Sequence, residues 1–97
     1  MTREEAKAVV LSNLSERALL EQLAEECAEL SQAALKMIRA RGNGNSTPVD
    51  ADHAYEAMRE EAGDVVLLLE LLRVNPLTSS MDAKMTRWSN RILTMNL

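Results

Sequence analysis

The sequence predicts an all-α protein, and three observations carry that prediction. Aromatic residues make up only 2% of the 97 positions and phenylalanine is absent, which removes the side chains that best cover a pleated sheet. Ala, Leu, Glu, Met and Arg are abundant, and these lose little freedom on entering a helix. Apolar residues also recur every three or four positions over long segments, the period of an amphipathic helix rather than of a strand.

Two stretches of turn formers divide a single domain spanning residues 1–97: Gly42-Asn43-Gly44-Asn45-Ser46-Thr47-Pro48, read as a linker over 42–49, and Asn75-Pro76-Leu77-Thr78-Ser79-Ser80. Thr2 and Glu5 have the spacing of a capping box and predict a short helix over about 3–11. Ser12 or Ser15 then caps the next segment, which leaves open whether the two are continuous. From Glu16 to Arg41, the residues Leu20, Leu23, Cys27, Leu30, Ala34, Met37 and Ile38 share one side of a helix. Arg39 and Arg41 complement its C-terminal dipole, Gly42 ends it, and Cys27 reads as a small core residue.

Asp50 or Asp52 caps a third helix that runs to about Val74, with Met58, Ala62, Val65, Leu69 and Leu72 as its central stripe. Pro76 stops it. His53, beside both aspartates in the first turn, reads as an exposed capping residue. The final helix, about 80–94, starts near Ser79 or Ser80 and carries Met81, Met85, Trp88, Ile92 and Met95 on one face. These, with the other methionines after Met1, read as packing residues of a core or an interface.

Composition bounds the function. A formal charge of -4 argues against nucleic acid as the partner, because that binding depends on Lys and Arg neutralising phosphates. The longest apolar run, Val65 to Leu69, falls far short of the ~20 residues a membrane span requires. The segment Met1 to Lys7 lacks the apolar core of a secretory signal, and Cys27 alone forms no intrachain disulfide, so a cytoplasmic protein without a membrane partner is expected. A domain this small buries only about 60–65% of the surface its unfolded chain exposes, so help from a partner chain is expected as well.

The acidic residues are placed unusually. Glu26 and Glu29 lie three residues apart beside the apolar stripe of the second helix, with Glu25 next to them; Glu61 and Asp64 repeat that spacing after Glu60, among Ala57, Val65, Leu68 and Leu71. A carboxylate drawn into such a setting takes up a proton or finds a cation. Two antiparallel helices would bring the pairs face to face, and oxygen ligands without a cysteine or histidine cluster select Mg²⁺, or Mn²⁺ in its place, over zinc. Lys84, Arg87 and Arg91 follow the edge of the last helix's stripe, and Lys36 lies two turns beyond Glu29; such cations suit a polyphosphate. The plainer reading makes these residues a solvated acidic face and ordinary surface cations. Asn43, Gly44 and Asn45 lack the spacing and lysine of a P-loop, and the E-x-x-H pairs of a di-iron bundle are absent.

Three segments, Gln22 to Leu30 followed by Ala34-Leu35-Lys36, Glu60-Glu61-Ala62-Gly63-Asp64-Val65, and Lys84 to Ile92, resemble the E-E-x-x-E, E-x-x-D and following basic segments of short, phage-type members of the MazG-like nucleoside triphosphate pyrophosphohydrolases. The likeness spans about residues 20–93. It implies a helical hairpin subunit that forms a four-helix bundle on dimerisation, or pairs further into a homotetramer. It also implies Mg²⁺-dependent cleavage of the α–β phosphoanhydride of ribo- or deoxyribonucleoside triphosphates to a monophosphate and pyrophosphate. By position, Glu26, Glu29, Glu61 and Asp64 would be metal ligands, and Glu25 would orient or deprotonate the attacking water. Lys36, Lys84, Arg87 and Arg91 would bind substrate. Two alternatives stand beside this: a non-catalytic helical oligomerisation or interaction protein, and a metal-dependent hydrolase of another phosphoanhydride.

Overall fold

A computed structural model describes residues 1–42 and 50–95. They form four helices in the order α1 (Arg3–Asn13), α2 (Glu16–Ala40), α3 (Ala51–Leu71) and α4 (Thr78–Met95), and no strand occurs among the described residues. The all-α expectation is met. Asn43, Gly44, Asn45 and the rest of the expected linker beyond Gly42 lie outside the described residues.

Local chemistry accounts for most helix ends. The Glu5 N–H donates to Thr2 Oγ1 at 3.1 Å and the Thr2 N–H to Glu5 Oε1 at 3.2 Å, completing the capping box of α1. That helix extends to Asn13, two residues beyond expectation, and Leu14 is extended. Ser15, not Ser12, caps α2 by accepting the Ala18 N–H at 3.1 Å, so α1 and α2 are separate helices. Arg41 is the C-cap of α2, and Gly42 follows at a φ of 82°, where glycine is least strained.

The main packing of the molecule is α2 against α3. Leu19, Ala33 and Met37 of α2 and Ala54 and Leu68 of α3 are buried. Leu23, Glu26 and Leu30, and Met58, Glu61, Val65 and Leu72, are half-buried between them. In each helix these positions advance by alternating steps of four and three residues, the spacing of a knobs-into-holes seam.

The seam corrects the stripe expected for α2. Leu20, Cys27, Ala34 and Ile38 are exposed; the row turned toward α3 is Leu19, Leu23, Glu26, Leu30, Ala33 and Met37. Both rows belong to one broad apolar sector, and a single neighbouring helix covers only one edge of it. Cys27 is therefore not a core residue of this chain.

Asp50, rather than Asp52, caps α3 by accepting the Asp52 N–H at 3.0 Å. His53 is exposed as expected, with Nδ1 3.1 Å from Asp50 Oδ2. The helix stops at Leu71, before the expected Val74. There the Arg73 N–H donates to the Glu70 carbonyl at 3.0 Å and the Val74 N–H to the Leu69 carbonyl at 2.9 Å, while Arg73 adopts a φ of 58°. This is a Schellman stop with arginine where glycine is usual. Near this end, Arg3 Nη2 of α1 meets Glu70 Oε2 at 3.0 Å.

From Arg73 to Met95 every residue is exposed. Helix α4 starts at Thr78, slightly earlier than expected, and its Met81, Met85, Trp88, Ile92 and Met95 are each more than half exposed. They pack no core within this chain. The radius of gyration is 17.8 Å, against about 12–13 Å for a compact chain of this length. The accessible surface is 7894 Å², against about 5,500 Å² for a compact monomer of this mass. The chain alone is an open hairpin with an arm.

Candidate metal centre

Glu26 and Glu61 hold seam positions that neighbouring turns give to Leu23, Leu30, Met58 and Val65, so the packing of α2 on α3 draws both carboxylates inward. Glu29, one turn beyond Glu26, stands at the open edge of the same seam. One carboxylate oxygen from each of Glu26, Glu29 and Glu61 lies within 4.8 Å of the other two. Glu26 and Glu61 are half-buried and Glu29 is exposed.

Gln22 Nε2 donates to Glu26 Oε1 at 2.9 Å, one turn along α2. The second oxygens, Glu26 Oε2 and Glu61 Oε2, are shielded from solvent and accept no hydrogen bond. An acceptor stripped of water and left unpaired is costly. Two like charges about 4 Å apart add about 1 kcal/mol of repulsion in water and about 4 kcal/mol at an intermediate dielectric.

A divalent cation would relieve both costs. Ligand oxygens of an octahedral Mg²⁺ stand about 3 Å apart when adjacent and about 4.2 Å apart when opposite, given metal–oxygen distances of about 2.1 Å. The three oxygens, within 4.8 Å of one another, would have to draw closer by rotation of the glutamate side chains to bind in common. The donor set is all oxygen, as Mg²⁺ or Mn²⁺ requires. The residues present therefore fit the ion.

Beside the carboxylates lies an open cleft of about 300 Å³ lined by Glu29, Gln32, Ala33, Lys36, Ala57 and Glu61. Lys36 shares this cleft with Glu29 and Glu61. Matched with known proteins, the chain has no counterpart among family models, curated proteins or solved structures.

The remaining expected site residues stand apart. Asp64 is exposed, outside the three-carboxylate cluster, so it does not share the buried setting expected for it beside Glu61. Three residues of α-helix turn it about 60° away, toward the open side. Glu25 is exposed and likewise outside the cluster. Lys84, Arg87 and Arg91 are exposed on α4, which does not pack on the α2–α3 hairpin. Two residues given no role in the sequence reading enter the site: Gln22, which holds Glu26, and Gln32, in the cleft wall. The four-residue spacing of Gln22 and Glu26 was a legible signal for the first.

Proposed function

We propose that the chain is a Mg²⁺-dependent nucleotide pyrophosphohydrolase that cleaves the α–β phosphoanhydride of nucleoside triphosphates, working as a homodimer or homotetramer. The observation that carries this reading is the pair of shielded, unpartnered oxygens on Glu26 and Glu61 within a three-carboxylate cluster. In a purely structural helix pair, acids at two facing seam positions cost stability unless a cation meets them, which weighs against a non-catalytic interaction protein. The motif resemblance supplies the reaction type.

Bound Mg²⁺ supplies charge neutralisation at the phosphates and a more acidic water. Glu26, Glu29 and Glu61 would hold it, while Asp64, offered by the motif resemblance as a fourth ligand, stands exposed outside their cluster. Gln22, donating to Glu26 Oε1, would hold the Glu26 rotamer and leave its second oxygen free to bind the ion. Lys36, in the cleft wall, binds the polyphosphate. Glu25 would orient the attacking water and take its proton, the water oxygen bonding to the α-phosphorus as the bond to the bridging oxygen breaks and pyrophosphate leaves. Lys84, Arg87 and Arg91 neutralise charge that grows on the leaving group.

The test is an assay of purified protein against ribo- and deoxyribonucleoside triphosphates, with Mg²⁺ and with a chelator. Monophosphate and pyrophosphate should appear only with metal. Orthophosphate as the direct product, or turnover indifferent to metal, overturns the reaction. Glu61→Gln should lower kcat about 100-fold or more while leaving the helical circular dichroism and sedimentation unchanged; near-normal turnover would remove Glu61 from the site.

A further inference from the structure

We propose that α4 is an exchanged arm, seated on the exposed outer row of α2 in a second copy of this chain. Met81, Met85, Trp88, Ile92 and Met95 advance by steps of four, three, four and three, and all are exposed. Leu93 is the one large apolar residue of α4 off this row, and a stripe of this width suits the seam of another helix, whereas a helix lying on a bilayer presents a broader apolar face. In its own chain α4 leaves α3 at the hydrogen-bonded Arg73–Val74 corner, passes Pro76, and packs on neither hairpin helix.

Charge chooses the partner. Lys84, Arg87 and Arg91 each immediately precede a row residue, so all three lie along one edge of the stripe. Two α4 rows packed antiparallel would set these cations against their own copies, and packed in parallel would set Lys84 against Ser89. A mainly apolar row of small and aliphatic residues with acids on its edge is the complementary seat. On α2, Leu20, Ala24, Cys27, Ser31, Ala34 and Ile38 advance by the same alternating steps and are all exposed, with Glu21 and Glu25 following the first two. Residues 78–97 hold three cations and one acid, whereas residues 1–77 hold eight cations and fourteen acids.

The area is sufficient. This chain exposes about 2,400 Å² more than a compact monomer of its mass, and obligate interfaces bury about 2,000 Å² or more in total. Tyr55 and Val66 of α3, 49% and 63% exposed, remain for contact between hairpins. The proposal rests on the oligomer proposed above and carries the α4 cations to the helix that bears Glu26 and Glu29. A site built by one chain's carboxylates is then completed by its partner's arm.

Sedimentation equilibrium of the full chain, compared with a Met85→Glu/Ile92→Glu variant, tests the arm without using catalysis. Both side chains are exposed within the chain, so helical content should be unchanged while self-association weakens about tenfold or more. A variant that associates like the parent overturns the arm while leaving the oligomer standing; a monomeric parent overturns both. In mixed samples, chains carrying native Cys27 are oxidised with chains of a different mass carrying Cys27→Ser and, in turn, Met81→Cys, Met85→Cys or Ile92→Cys. At least one pairing should yield a covalent heterodimer. No heterodimer at any position refutes exchange, as does a chain that keeps Cys27 and carries one of the new thiols closing an internal disulfide in place of linking to a second copy. So does a monomer whose Trp88 emission shifts to the blue only on phosphatidylserine vesicles, which would assign α4 to a membrane surface. Catalysis enters none of these readouts, so loss of the hydrolase reading would leave them intact.

Discussion

Glu61 stands where the rest of its row has Met58, Val65 and Leu68, and this conflict between packing and charge is the most informative single position in the chain. Its shielded oxygen has no hydrogen-bond partner, so without metal the glutamate weakens the seam it occupies. Replacing it with an apolar residue of similar volume should strengthen that seam, because an uncompensated inward carboxylate costs more than a leucine side chain. Glu61→Leu is therefore expected to raise stability in chelator by about 1–2 kcal/mol, read from urea midpoints, while abolishing the effect of Mg²⁺ on melting. A variant less stable than the parent in chelator would show that Glu61 is satisfied without a cation. The spacing of Glu26 with Glu29 was visible in the sequence because it is local to one helix. The separation of Glu61 from Asp64 was not, since both fit one broad apolar sector on paper and only a packed neighbour divides it.

Helix termini were the best-read elements. The capping box at Thr2 and Glu5, the caps at Ser15 and Asp50, and the glycine after α2 all depend on atoms a few residues apart, so sequence spacing almost determines them. The end of α3 was misplaced because its stop uses Arg73 with a positive φ, and arginine announces no such geometry. An arginine there carries backbone strain that glycine would not. Arg73→Gly should stabilise the folded chain by about 0.5–1 kcal/mol, the relief at the αL position being partly offset by the freer unfolded chain. Thermal and urea denaturation measure this; destabilisation would mean that the Arg73 side chain contributes more than its backbone costs. The same corner sends α4 away from the hairpin, which links a local strain to the exposed arm.

The whole molecule has too little core for its length, with five buried side chains among the described residues and a surface well above that of a compact monomer. Its stability should therefore depend on what binds it. A cation that binds only the folded state adds about 2.7 kcal/mol when present at about 100 times its Kd. For a chain of this size that corresponds to a rise in Tm of about 10–20 °C. Scanning calorimetry in Mg²⁺ and in chelator should show the shift, and superimposable melting curves would leave the carboxylate cluster without its ion. Tm should also climb with protein concentration if a second copy covers the exposed rows.

Helix number, helix chemistry and most helix ends followed from the sequence alone, because hydrogen bonds and side-chain periodicity act over three or four residues. The sequence likewise placed both acidic pairs on the helices that carry them. Which edge of α2 meets α3, which three of the four expected ligands converge, and whether the α4 stripe meets its own hairpin all depend on contacts between segments far apart in the chain. One-dimensional spacing is silent on these, since a broad apolar sector allows several rotations that only packing against a neighbour resolves.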